Sequence, residues 1–239
     1  MSNGETFGTT QWGLVAAASA PSDEQSRWAL SLLCEQYWFP IYAYIRRQGY
    51  PAHQAEDLTQ AFFALILEKK TFSRADPQRG RLRTYLLGAL RNFLAGQFQK
   101  QSAARRGGGR RVVPLDPATA EGWLQAAGSD GQSPEKLFDR QWALTVLDLA
   151  MRRLRGRYFD AGKADLFELL VPQLTGDDAA RCYRELGAQV AMSEGAVKVA
   201  VHRLRQEYRQ ILREQIGQTL VSADEVDEEV RHLFAALGK

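Results

Sequence analysis

Lys198, His202, Arg205 and Arg209 recur at i, i+4, i+7 and i+11, while Val197, Val201, Leu204, Tyr208 and Ile211 fall on the opposite side of the same segment. Helical spacing turns the first set into a ridge of cations and the second into a core stripe. A short helical segment over 181–190, carrying Tyr183, Leu186 and Val190, precedes it across the turn Ala191-Met192-Ser193. Ser193 is suited to cap the longer helix. A basic ridge on the second helix of a tight pair has a definite chemistry, since such a helix enters a major groove and its cations meet phosphates and base edges. A charge run is also the ordinary make-up of a solvated face, so charge alone does not decide between them.

A second concentration of charge lies over residues 77–115, which hold nine Lys or Arg and no Asp or Glu. The whole-chain net charge is only +3. The local field is therefore the better guide to a polyanionic partner.

Other chemistries find little to work with. Cys34 and Cys182 lie far apart in sequence, with neither a Cys nor a His at zinc-ligand spacing. This supports neither a disulfide framework nor a structural metal site, and both thiols read as small hydrophobes. His53, His202 and His232 are scattered, and no nucleophile pair, phosphate loop or metal-carboxylate cluster can be assembled. An enzyme is not expected, nor a cofactor or metal. Apolar runs such as residues 62–67 are far shorter than the roughly 20 residues of a membrane span. The start, Met1-Ser2-Asn3-Gly4-Glu5, lacks the n-region and h-region of a secretory signal. The expected location is the cytoplasm.

The elements that must position these residues are all helical. Residues 1–8 are small and polar, as in a disordered terminus, and Thr10 can cap a short helix carrying Trp12, Leu14 and Val15. Ser22-Asp23-Glu24-Gln25 has the form of a capping box before a long periodic stretch through Trp28, Leu32, Tyr37, Ile41 and Ile45. Pro40 is expected to kink or divide that helix, because it removes a mid-helix donor. Gly49 ends it and Pro51 starts the next, which places Leu58, Ala61, Phe62, Leu65 and Ile66 in the core. Glu56, Gln60, Phe63 and Leu67 form a second surface of that helix, suited either to a partner or to packing on a neighbouring helix. From about Leu82 to Lys100 the stripe is Leu82, Tyr85, Leu86, Ala89 and Phe93, with Arg83, Gly88, Arg91 and Asn92 on the other side. Residues 107–134 have the Pro and Gly content of a linker, with room for a short helix around Trp123. Helical periodicity resumes at Leu137, through Trp142, Val146, Leu149 and Leu154, and again over 166–170. No stretch sustains the alternation of a strand, so the fold class is all-α.

Three segments carry a family resemblance. Residues 193–205, Ser-Glu-Gly-Ala-Val-Lys-Val-Ala-Val-His-Arg-Leu-Arg, resemble the recognition helix of extracytoplasmic-function (ECF) sigma factors of RNA polymerase. Residues 55–63, Ala-Glu-Asp-Leu-Thr-Gln-Ala-Phe-Phe, are similar to that family's A-E-D-L-T-Q segment. Leu82-Arg83-Thr84-Tyr85-Leu86 with Arg91-Asn92-Phe93 is similar to its F-R-T-W-L and later R-N. All three stand in the family's order. Two positions depart from it: Ala191 stands where the turn often has Gly, and Gly96 where an acid is common.

The resemblance implies two helical domains joined by a flexible linker. Residues 9–106 would form a region-2-like domain binding core polymerase and the −10 element, and 107–134 the linker. Residues 135–216 would form a region-4-like helix-turn-helix domain binding the −35 element. The implied partners are core RNA polymerase, through the β′ clamp coiled coil and the β subunit, and promoter DNA. Glu56, Asp57, Gln60 and Phe63 would face polymerase. Arg74, Arg79, Arg81, Arg83, Arg91, Asn92, Gln97 and Lys100 would hold the melted −10 strand, by stacking, edge contacts and charge neutralisation. Ser193, Glu194, Lys198, His202, Arg203, Arg205 and Arg209 would meet the −35 duplex, mostly at phosphates. An anti-sigma factor and a kinase acting on a residue such as Thr59 are open as regulators. Residues 217–239 lie outside the resemblance and form an acidic amphipathic segment, with Val226, Val230, Leu233, Phe234 and Leu237 on one face. It is expected to pack on its own domain, or alternatively to cover the basic helix. A stand-alone helix-turn-helix regulator and a helical interaction protein that binds no DNA are the competing readings.

Overall fold

A computed structural model describes residues 24–68, 81–103, 133–175, 183–218, 220 and 223–238. The elements are α1 (Glu24–Arg47), α2 (Ala52–Glu68), α3 (Leu82–Ala103), α4 (Pro134–Asp160), α5 (Ala164–Leu170), α6 (Pro172–Thr175), α7 (Tyr183–Gln189), α8 (Glu194–Gly217), a 3-10 turn (Ala223–Glu225) and α9 (Val226–Ala236). The protein is all-α, with no strand among the described residues. Nor is any helix among them long and apolar enough to cross a membrane. The expected N-terminal helix, the capping box, Cys182 and the segment around Trp123 lie outside the described residues.

The described chain forms two compact units. One contains the residues up to Thr145 together with those from Ile216 onward, and the other is Val146–Gln215. These units differ from the segments expected at 107–134 and 217–239: the first turns of α4 and all of α9 belong with the first helices.

In the first unit α1 is one helix that runs through Pro40 and is not divided there. Losing a mid-helix hydrogen bond to proline costs about 3 kcal/mol. The surrounding burial offsets that cost, since Tyr37, Trp38, Phe39, Ile41, Tyr42, Ala43, Tyr44 and Ile45 are all in the core. Trp38 stacks on Tyr42 with ring centroids 5.1 Å apart. The helix stops at Gly49, whose φ of +93° is open to glycine without strain. Cys34 is half-buried, and burial pushes its thiol up to about 11, in keeping with a packing role.

In α2 the core residues are Ala55, Leu58, Thr59, Phe62, Phe63 and Ile66. Ala61 is exposed instead of buried, and Leu65 is only partly covered. The stripe is thus rotated towards Thr59 and Phe63. In α3 the buried set is Leu82, Leu86, Leu90, Phe93 and Leu94, while Tyr85 and Ala89 sit at its edge. Phe62 and Phe93 meet across the two helices at 5.6 Å.

The N-terminus of α4 lies a turn earlier than Leu137. Ser133 accepts from the Lys136 amide at 3.3 Å through its hydroxyl, and Pro134 takes the first helical position. Ser-Pro is a cap followed by a residue with no amide to satisfy. That extra turn carries Glu135 into the first unit, where Leu137, Phe138 and Trp142 are buried.

The second unit is built on the rest of α4, on α5 to α7 and on α8. Its core includes Val146, Ala150, Leu154, Phe167, Leu170, Leu186, Val197, Val201, Leu204 and Ile211. Tyr208, half-buried, donates its hydroxyl to the Leu147 carbonyl at 3.3 Å.

Candidate nucleic-acid interface

In the second unit, the turn between α7 and α8 is tight for a reason visible in its backbone. The Met192 amide donates to the Gly187 carbonyl at 2.9 Å, and Ala191 takes φ +53°. A Cβ built on Gly187 would stand 2.4 Å from the Met192 carbonyl oxygen, which is closer than atoms can approach. Glycine is therefore needed at 187, where the chain doubles back on itself. The left-handed residue is Ala191, at a cost of about 1 kcal/mol relative to glycine. Gly187→Ala is expected to destabilise the second unit by about 1–3 kcal/mol, as overpacking does. Ala191→Gly should raise its stability slightly. Urea titration of both variants checks the pair of signs.

Ser193 caps α8, its hydroxyl accepting from the Ala196 amide at 3.2 Å. Val197, Val201, Leu204 and Ile211 point into the core, and the other side is open. Lys198, His202, Arg203, Arg205 and Arg209 are all exposed, so the expected ridge is on the surface. Two of its members already have partners. Lys198 lies 2.8 Å from Glu194, and Arg205 donates to the Gln173 carbonyl at 2.8 Å. The hydrogen bond from Lys198, with its charge, holds the Glu194 carboxyl below the usual range. Tyr183 and Val190, expected in the core, are only half-buried, and Leu186 anchors α7.

In the first unit, Glu56, Asp57 and Gln60 reach the surface of α2. Phe63 does not: it is 8% exposed and packs edge-on to Phe62. The helix rotation noted above turned it inward, which corrects its expected role as a polymerase contact. Thr59 is fully buried, with its hydroxyl donating to the Ala55 carbonyl at 2.7 Å. A kinase has no access to it in this fold.

The arginines of α3 give the largest correction. Arg83 was expected to hold DNA, yet its side chain is only 12% exposed. Its Nε lies 2.6 Å from Glu229 and its Nη1 2.5 Å from Asp139, and the guanidinium covers the Trp142 ring at 5.0 Å. Burial opposes the charge, but the hydrogen bonds and charges of Glu229 and Asp139 outweigh it and raise the pKa further. Arg81 reaches Glu228 and Glu229, each at 2.8 Å. Arg91, more exposed, lies 2.8 Å from Glu135, which Tyr44 also approaches with its hydroxyl at 3.4 Å. Arg74 and Arg79 lie outside the described residues, as does the side chain of Lys100.

The acidic partners were missed in the sequence, although a signal existed. Val226, Glu229 and Leu233 share the i, i+3, i+7 spacing of one stripe, and all are buried. Phe234, expected on that face, is 42% exposed. An acid interrupting an apolar stripe calls for a buried cation, and α9 finds its cations on Arg81 and Arg83. α9 thus packs with the first helices, which corrects the expectation that it packs on its own domain.

In the same unit α2 and α3 border a groove of about 620 Å³, which Arg83 does not line. Tyr85 is its partly exposed aromatic wall, the buried Phe62 and Phe93 lie at its floor, and Thr84, Asn92 and Gln97 are its polar edges. No family model, curated protein or solved structure matches the chain.

Proposed function

We propose that this chain is an RNA polymerase sigma factor of the ECF type, which directs core polymerase to promoters by binding −35 duplex and melted −10 DNA. The observation that carries the reading is the exposed cationic face of α8, set behind a capped turn and backed by a continuous core stripe. Phosphate contacts from such a face fix register, and a few base-edge contacts supply specificity. The groove of α2 and α3 adds support, since one partly exposed aromatic ring, Tyr85, with amide and hydroxyl edges suits an unstacked base. Glu56 and Asp57 on the surface of α2 are the groups assigned to polymerase.

Reconstituted transcription tests it: the purified chain is added to core polymerase with a promoter library, and the transcripts are sequenced. Defined starts are expected only with the protein. Charge reversal by Glu56→Lys with Asp57→Lys should abolish them while duplex binding persists. Starts that survive the double reversal would remove α2 from the polymerase contact.

One observation favours a second reading, a regulator that binds duplex through α8 without polymerase. Arg81 and, in α3, Arg83 are paired with carboxylates and largely covered instead of being presented to a strand, and the exposed Arg91 is paired with Glu135. Duplex binding by a chain that neither binds nor redirects core polymerase would select that reading.

A further inference from the structure

We propose that α9, together with the first turns of α4, acts as an internal phosphate mimic, occupying the arginines of α3 and holding the free chain off single-stranded DNA. This rests on the sigma-factor reading. Arg81, Arg83 and Arg91 are each engaged by a carboxylate from a distant part of the sequence. Glu229 gives one oxygen to Arg81 and the other to Arg83, at 2.8 and 2.6 Å. A phosphodiester's two non-bridging oxygens can serve a pair of guanidiniums in the same way, so the arginines can pass from one anion to the other.

The choice of an acid at 229 is unusual for stability alone. An apolar residue between Val226 and Leu233 would complete the stripe without removing a carboxylate from water. The grip of α9 is also small. Val226 and Leu233 are its only described apolar side chains that are buried, and Val230 and Leu237 are half-covered. Glu228, the outer member of the acidic pair, is solvent-exposed, so incoming phosphates can compete there first. After release α9 stays tethered near its site, because few residues separate Gly217 from Ala223. Recapture is then intramolecular.

The test uses the full chain, fluorescein-labelled oligo-dT and anisotropy at stepped salt. Glu228→Gln with Glu229→Gln, which keeps side-chain shape, should bind about tenfold more tightly at 0.15 M salt. The log–log salt slope should steepen by about 0.7, as the one phosphate contact of the freed Arg81 requires, Arg83 still being held by Asp139. Where that variant loses its fold, hydrogen exchange on the unmodified chain serves instead: oligo-dT should accelerate exchange over residues 226–236 and leave α1 unchanged. Equal oligo-dT affinity in a folded variant, or unchanged α9 exchange in the DNA complex, overturns the mimic and leaves the sigma-factor reading standing. Failure of both forms to bind oligo-dT, with duplex still bound, overturns both.

Discussion

Arg83→Ala is expected to destabilise the first unit by about 3 kcal/mol, near the low end of what breaking a buried ion pair costs. The loss is not larger because Arg81 still holds one oxygen of Glu229, at 2.8 Å. It is not smaller because the other oxygen and Asp139 lose their donors together, and the Trp142 ring loses its cover. Arg83→Lys should recover only part of the difference, since one ammonium cannot supply the planar fork that reaches both carboxylates. Arg83→Met with Glu229→Leu should recover most of it, because an apolar pair avoids the desolvation that the ions suffer. Chemical denaturation followed by tryptophan fluorescence, with Trp142 as a local reporter, orders the variants. A loss below about 1 kcal/mol for Arg83→Ala would mean that the site is open to water and its charges are screened.

The second large effect concerns duplex DNA. Neutralising Lys198, Arg205 and Arg209 together, each to Gln, should lower duplex affinity about 10²-fold at 0.15 M salt if every member meets a phosphate. The salt slope should fall by about 2.7 in the same measurement. The fold should be kept, because the substituted residues are exposed and the core stripe is untouched. A slope that does not move would assign the ridge to solvent.

Much of this architecture was legible in the sequence where periodicity was strong and ends were marked. Gly49 closes α1, Leu82 opens α3, and Val197, Val201, Leu204 and Ile211 line α8 as their spacing requires. The misreadings have specific physical causes. Pro40 was expected to kink or divide the helix, and the division does not occur because eight buried neighbours hold it together. Ser133 and Pro134 belong to a composition typical of linkers, yet they are the cap and first residue of α4. Phe63 looked like surface because the stripe of α2 was phased on Ala61 instead of Thr59. The candidate sites divided along the same line. The ridge of α8 depends on one helix and was readable from spacing, whereas the fate of Arg81 and Arg83 depends on residues whose proximity no local pattern encodes.

The separation of those partners has a consequence for how the chain is made. Arg83 and its acceptor Glu229 are 146 positions apart, so a ribosome adding about 5–20 residues per second delivers the second roughly 7–30 s after the first. During that interval the nascent first helices carry their arginines without Glu229. Chaperones, nucleic acid and the ribosome's own RNA can all reach that cationic surface before α9 arrives. Slowing elongation between the two positions should therefore lengthen the nascent chain's exposure to polyanions, without changing the finished protein.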